Sequence, residues 1–167
     1  MRAKKYLHLC MGVFFLFSLD CSAAERGDIA PDFTLPSLLQ NSPVALSDYR
    51  GRIVLLDFWS TWCLPCRESL PELSKLRNEF SQESFELISI DIDARPDDAK
   101  KFLMTVNFTH PMVMDPQAAS AALYGLTILP TAFLINRDGV IEKVHQNLKL
   151  GDLDQLKKEI SMLIADR

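Results

Sequence analysis

Two cysteines separated by two residues and set between a buried strand and a helix leave few folds and few chemistries open. Ile53-Val54-Leu55-Leu56-Asp57, followed by Phe58 and Trp59, reads as a strand covered on both faces, because its apolar residues run on without alternating. Leu70, Leu73, Leu76 and Phe80 then recur at spacings of three and four, the period of a helix with one buried face. Cys63 and Cys66 fall at the junction of the two patterns. A helix N-terminus presents unpaired N–H groups and about half a positive charge, and both stabilise an anion. A thiolate at Cys63, at the mouth of the helix and expected to be exposed, therefore forms at lower pH than the value of about 8.5 for a free thiol. Cys66 lies one turn deeper on the same face, close enough to close a ring with Cys63, and Pro65 fits the first turn, where its missing N–H is no loss. The division of labour expected is an attacking Cys63 and a resolving Cys66.

Residues 1–24 read as an export leader and 25–167 as one domain. Arg2, Lys4 and Lys5 make a basic start, Leu7 to Leu19 is mostly apolar, and Ser22-Ala23-Ala24 offers a cleavage site before Glu25. The apolar stretch is shorter than the about 20 residues of a membrane span. An uncleaved anchor and a lipid on Cys21 are the alternatives, with Asp20 a poor neighbour for the lipid signal. Without the leader the chain has 15 basic and 21 acidic side chains, a net charge of −6 and no basic stripe, which argues against a nucleic-acid surface. Cys10 and Cys21 leave with the leader, so Cys63 and Cys66 stand alone. So short a loop is a weak structural brace, and no second cysteine pair completes a zinc site. A redox dithiol is the expectation.

Ala30 to Pro36 reads as an extended entry, and Val44 to Leu46 as a short strand leading by Ser47 to Gly51 into the central strand. Pro71 lies inside the helix after Cys66 and is expected to kink or restart it, with the second half running to about Phe80. Phe85 to Asp91 reads as a central parallel strand, and Pro96-Asp97-Asp98 opens a helix carrying Phe102, Leu103 and Val106 on one face. A short strand at Met112 to Met114 and a short helix from Gln117 to Tyr124 come next. Pro130 to Ile135 and Val140 to Val144, joined by Asn136-Arg137-Asp138-Gly139, read as a hairpin. Asp152, with Gln155 three residues later, looks like the capping box of a last helix bearing Leu153, Leu156, Ile160 and Leu163. The plan is α/β, a central mixed sheet flanked by helices.

These residues resemble the TlpA/ResA-like branch of the thioredoxin superfamily. Ala30-Pro31-Asp32-Phe33-Thr34-Leu35 and Leu46-Ser47-Asp48-Tyr49-Arg50-Gly51 resemble its two entry motifs, and Val54 to Arg67 its active-site block. Ile88-Ser89-Ile90-Asp91 is similar to the strand of its inserted strand–helix unit, and Leu129-Pro130-Thr131 to the loop facing the dithiol. The resemblance implies a thioredoxin-like fold with an N-terminal extension. It also implies a periplasmic or membrane-tethered thiol–disulfide oxidoreductase with no metal and no cofactor beyond its own Cys63–Cys66 dithiol, expected to act as a monomer. Its partners would be disulfide-containing exported proteins such as apocytochrome c or copper-site thiols, with electrons from a membrane donor.

Asp57 matches the family's buried acid, whose raised pKa suits it to take a proton from the resolving thiol. Pro130 matches the cis-proline opposite the disulfide, leaving the backbone of Leu129 free to pair with an extended substrate. Trp62 would form part of the wall around Cys63, with Trp59 packed into the core. Leu64 and Pro65 would touch substrate and tune the reduction potential. Two departures stand out. Ser69 occupies the position three after the second cysteine where many relatives carry glutamate, with Glu68 one step earlier and expected to face solvent. Thr127-Ile128-Leu129 lacks the common glycine, which makes the groove bulkier.

Two other readings use the same fold. In a thiol peroxidase Ser60 would satisfy the hydroxyl position three before the reactive cysteine, but Leu56 stands where a proline is usual. A copper chaperone would need a wider cysteine spacing and a nearby histidine, and His110 and His145 are the only ones after the leader.

Overall fold

The computed structural model describes residues 23–39, 41–105 and 108–166. Apart from Ala23 and Ala24, the expected leader lies outside the described residues, and so does Val106 of the second expected helix. A two-stranded ribbon of β1 (Thr34–Leu35) and β2 (Val44–Ala45) precedes the central strand β3 (Ile53–Trp59). Then follow α1 (Leu64–Asn78), β4 (Phe85–Asp91), α2 (Pro96–Leu103), β5 (Met112–Met114) and α3 (Ala119–Leu123). β6 (Thr131–Ile135), β7 (Ile141–Gln146) and α4 (Leu153–Ala165) complete the chain. The main sheet has the order β5-β4-β3-β6-β7, with β3, β4 and β5 parallel and β6 antiparallel to both its neighbours. This is the mixed α/β sheet expected.

β3 lies at the centre of that sheet and every one of its residues is buried, which is why its sequence does not alternate. Val54, Leu56 and Phe58 face Ile88, Ile90, Tyr124 and Phe133. Ile53 and Leu55 face the opposite way, into a cluster with Leu73 and Leu76 of α1 and Leu156 and Ile160 of α4. At the C-terminal end of β3, Trp59 joins Cys63, Cys66, Leu70, Leu103 and Phe108. The entry segment is tied to this body by the Tyr124 hydroxyl, which donates to the Pro31 carbonyl at 2.8 Å.

Three local expectations need correction. α1 runs unbroken from Leu64 to Asn78 with Pro71 inside it, so the proline costs one backbone hydrogen bond without restarting the helix. Its buried face of Leu70, Leu73 and Leu76 continues across the proline. Leu46 opens a 3-10 turn (Leu46–Tyr49) instead of extending β2. Asp152 makes no side-chain cap for α4; its carboxylate accepts the Lys149 N–H at 2.9 Å, and Gln155 donates to Glu159 instead.

The hairpin forms as expected. Gly139 has φ +82°, a conformation that favours glycine, and the Asn136 side chain accepts the N–H groups of Asp138 and Val140 at 3.0 Å. From the turn, Arg137 reaches the end of α4 and donates to the carbonyls of Leu163, Ile164 and Asp166 at 2.8–2.9 Å. Those are carbonyls that a helix end otherwise leaves unpaired.

α1 is also fixed to β4 by a buried pair, Arg77 and Glu86, through two hydrogen bonds of 2.8 and 3.0 Å. Arg77→Met should lower stability by about 3–5 kcal/mol, because the Glu86 charge is left buried alone. The double variant Arg77→Met/Glu86→Leu should recover most of the loss in a denaturant titration.

Candidate active site

Cys63 is the N-cap of α1, and Cys66 sits in its first turn with Pro65 beside it. The two form a disulfide across a Cα–Cα distance of 5.3 Å. The Cys66 backbone N–H points at the Cys63 sulfur, 3.2 Å away. That N–H belongs to the set a helix start leaves unpaired, so it favours negative charge on Cys63 when the disulfide opens.

Cys63 was expected at an exposed position, yet only 6% of it is accessible, against 1% for Cys66. Trp62 and Leu64, 70% and 60% exposed, stand out on either side of it. The sulfur therefore lies in a groove of about 480 Å³, between Trp62, Leu64 and Pro65 on one wall and Ile128 and Leu129 on the other. Such a groove admits an extended chain more readily than a flat surface. Trp59, by contrast, is fully buried beneath the dithiol.

On the far wall the Leu129–Pro130 peptide is cis. The loop is anchored on both sides of Leu129: the Thr131 hydroxyl donates to the Ile128 carbonyl at 2.8 Å, and Leu148 N–H donates to the Pro130 carbonyl at 3.3 Å. Leu129 itself makes no backbone hydrogen bond with the described residues. Its N–H and C=O are thus available to an added strand.

Asp57 occupies β3 opposite Ser89 and Ala132, on the sheet face that carries Leu55 and Trp59 and that α1 covers. It is 1% exposed, and its Oδ1 has no partner among the described residues. Burial pushes its pKa up from the ordinary 3.8 to about 8. A carboxyl of that kind can exchange a proton with a thiol at neutral pH.

Three further residues support the site in roles that the sequence did not assign to them. Ser69, in the departing position, is buried and donates to the Cys66 carbonyl at 3.2 Å, whereas Glu68 is exposed as expected. Asp93 accepts the Thr61 N–H at 2.9 Å and so holds the turn that leads into Cys63. The Asp93 N–H in turn donates to Asp91 at 3.3 Å. Burial, reinforced by the neighbouring Asp93 charge, pushes the Asp91 pKa up to about 8. The one signal in the sequence was Asp91 itself, an acid ending an apolar strand.

Neither histidine approaches the dithiol. His110 is held between the hydroxyls of Ser89 and Ser74 at 3.1 and 3.3 Å, and His145 on β7 faces Glu159 at 2.9 Å. Among the described residues no three His, Cys, Asp or Glu side chains converge as metal ligands.

The sequence matches the AhpC/TSA family over residues 26–144. It is 33% identical over 132 residues to the thiol-disulfide oxidoreductase ResA of Geobacillus thermodenitrificans, covering 79% of this chain and 75% of that protein. The chain belongs to the ResA-like branch of the thioredoxin superfamily. Solved structures agree. A Chlorobium tepidum protein provisionally named thiol:disulfide interchange protein DsbE superposes with a TM-score of 0.81 at 35% identity, covering 85% of this chain and 99% of that one. The exposed lipoprotein thioredoxin of Streptococcus pneumoniae gives a TM-score of 0.67 at 26% identity, covering 77% and 99%. The protein is thus a thiol–disulfide oxidoreductase with a thioredoxin-like fold, and Cys63–Cys66 is its redox-active pair.

The buried acid has a measurable signature. Asp57 is protonated in folded and unfolded chains below pH 3.8; above it the folded state keeps a proton that the unfolded state releases, up to about pH 8. The stability contribution is therefore complete below the ordinary value and lost as pH rises through about 8. Asp57→Asn should match the wild type near pH 4 and exceed it at pH 9 by on the order of 1–3 kcal/mol in denaturant titrations.

Proposed function

We propose that this oxidoreductase works outside the cytoplasm, in the periplasm, as a reductant of disulfides in exported partner proteins. Apocytochrome c and the thiols of copper sites are the partner classes the family resemblance suggests. The observation that carries the reading is the Cys63 sulfur, facing the Cys66 N–H at the head of α1 and opposite the unpaired backbone of Leu129. Export is supported by the leader-like residues 1–24 and by the relative described as an exposed lipoprotein. No helix among the described residues is long and apolar enough to cross a membrane. The domain is taken to act as a monomer, with residues 1–24 cleaved or serving as its tether.

The cycle begins with both cysteines reduced. Cys63 thiolate attacks one sulfur of the partner disulfide, and the other partner sulfur leaves as a thiolate that takes up a proton. Asp57, as carboxylate, accepts the Cys66 proton, and the Cys66 thiolate attacks Cys63. The S–S bond of Cys63–Cys66 forms, the mixed disulfide breaks, and the departing partner sulfur takes up the second proton as Asp57 gives up the one it accepted. The partner gains two electrons and two protons, and the oxidoreductase loses them. A membrane electron donor restores the dithiol. Trp62, Leu64, Pro65, Leu129 and Pro130 shape the groove in which the partner lies.

Cys63→Ser should abolish exchange, whereas Cys66→Ser should accumulate mixed disulfides on a non-reducing gel; equal and complete loss in both would remove the assigned roles. Equilibration in dithiol redox buffers then sets the direction. A potential of about −270 mV or lower makes the protein a reductant, and one near about −120 mV an oxidant of exported chains. Peroxide consumption surviving Cys66→Ser would make it a thiol peroxidase instead.

A further inference from the structure

A second cavity adjoins the dithiol groove. Its volume is about 770 Å³, and Leu126 and Thr127 line it as well as the groove, so the two share a wall. Tyr124, Phe133, Val144, Met162 and Leu163 give it an apolar lining. Of the charged groups that line it, Glu25 and Arg26 are exposed to solvent and two further carboxylates are hydrogen-bonded. Glu159 accepts from Lys143 at 2.5 Å and from Gln155 at 2.9 Å and faces His145, and Glu142 accepts from Asn136 at 2.6 Å. The exposed pair keeps its solvation and the other carboxylates keep their partners, so what the cavity offers an occupant is its apolar lining, which suits a neutral, apolar group.

The groove beside that wall is flanked by exposed apolar side chains. Ile128 is 45% exposed, facing solvent as Trp62 and Leu64 do on the other side of Cys63. Exposed apolar side chains in such a run mark a surface that meets a partner. The backbone gives its direction: Leu129 makes no backbone hydrogen bond among the described residues, and Leu126, whose N–H is held by the Ala121 carbonyl at 2.9 Å, lies three residues before it. A partner strand laid along this segment advances about 3.3 Å per residue, so its third or fourth residue from the reacting cysteine arrives at the cavity.

We propose that the partner polypeptide occupies both cavities at once: its cysteine reacts at Cys63, its backbone runs along Leu129 to Leu126, and a neutral apolar side chain three or four residues from that cysteine fills the second cavity. The substrates are then proteins whose reactive cysteine is flanked by an extended apolar segment. This rests on the reading that a polypeptide disulfide is exchanged in the dithiol groove.

The probes are synthetic nine-residue peptides carrying one cysteine as an activated disulfide, with leucine or serine at the third and fourth positions on one side or the other. Their capture by the full-length Cys66→Ser protein is followed as a function of peptide concentration. Leucine on one side should bring half-maximal capture to about tenfold lower concentration than serine. Met162→Glu, at a position 60% exposed and outside the core, and Val144→Asp should each raise the leucine peptide to the serine value. Equal capture of leucine and serine peptides on both sides, or a preference that survives both variants, overturns the proposal and leaves the exchange chemistry standing. Failure to capture any peptide overturns both. Dimerisation of the wild type that Met162→Glu abolishes would assign the cavity to a second copy of the chain and overturn the partner reading.

Discussion

A single junction controls this molecule: the end of β3 delivers the chain directly into the first turn of α1, and the unpaired N–H groups of that turn face sulfur. The Cys66 N–H lies 3.2 Å from the Cys63 Sγ, a contact that neither residue could make elsewhere on the helix. Keeping it requires β3 to be immobile, hence its burial on both faces, and α1 to be fixed in rotation, hence Leu70 and Leu73 beneath it and Arg77 clamped to Glu86. Even the acid at Asp93 serves the same end, holding Thr61 two residues before the cysteine. The sheet, the helix and the loop carboxylate each remove one freedom from the same sulfur.

Burial has opposite effects on the two kinds of group beneath that sulfur. For Trp59 and Leu70 it is the stabilising term. For Asp57 and Asp91 it opposes ionisation and raises both pKa values to about 8. Asp91 accepts the Asp93 N–H at Oδ1, while its Oδ2 and the Asp57 Oδ1 have no partner among the described residues. An apolar sheet that tolerates such a group sacrifices stability near neutral pH, a pattern common where protons must be moved.

Much of this was legible along the chain, and the exceptions have physical causes. β4 and β5 coincide with the apolar runs Phe85–Asp91 and Met112–Met114, because a strand buried on both faces has no alternation to blur its ends. The hairpin followed from Asp138-Gly139, since the positive φ at Gly139 is cheap only for glycine. Asp152 misled because the capping pattern is local, while its carboxylate found the Lys149 N–H first. Pro71 does not restart the helix because tertiary packing outweighed one lost hydrogen bond. At the dithiol, the spacing located both sulfurs, but the low exposure of Cys63 arises from how far Trp62 and Leu64 project, and no periodicity reports that. The cis peptide at Pro130 was accessible only through family resemblance. Ser69 and Asp93 act through single contacts made by folding, to the Cys66 carbonyl and the Thr61 N–H, and a lone polar residue in a sequence carries no mark of them.

The clamp formed by Arg137 has a consequence for the order in which the chain can settle. The guanidinium sits in the β6–β7 turn, but its acceptors at 163–166 lie 26 to 29 positions further along. When the turn leaves the ribosome or a translocation pore, that charge has nothing to hold. The hairpin can pair, yet it remains a frayed margin of the sheet until α4 arrives and its carbonyls close on the arginine. The outer strand and the last helix therefore consolidate together and late, and because Ile53 and Leu55 of β3 also pack on Leu156 and Ile160, the α1 side of the sheet is completed at the same moment.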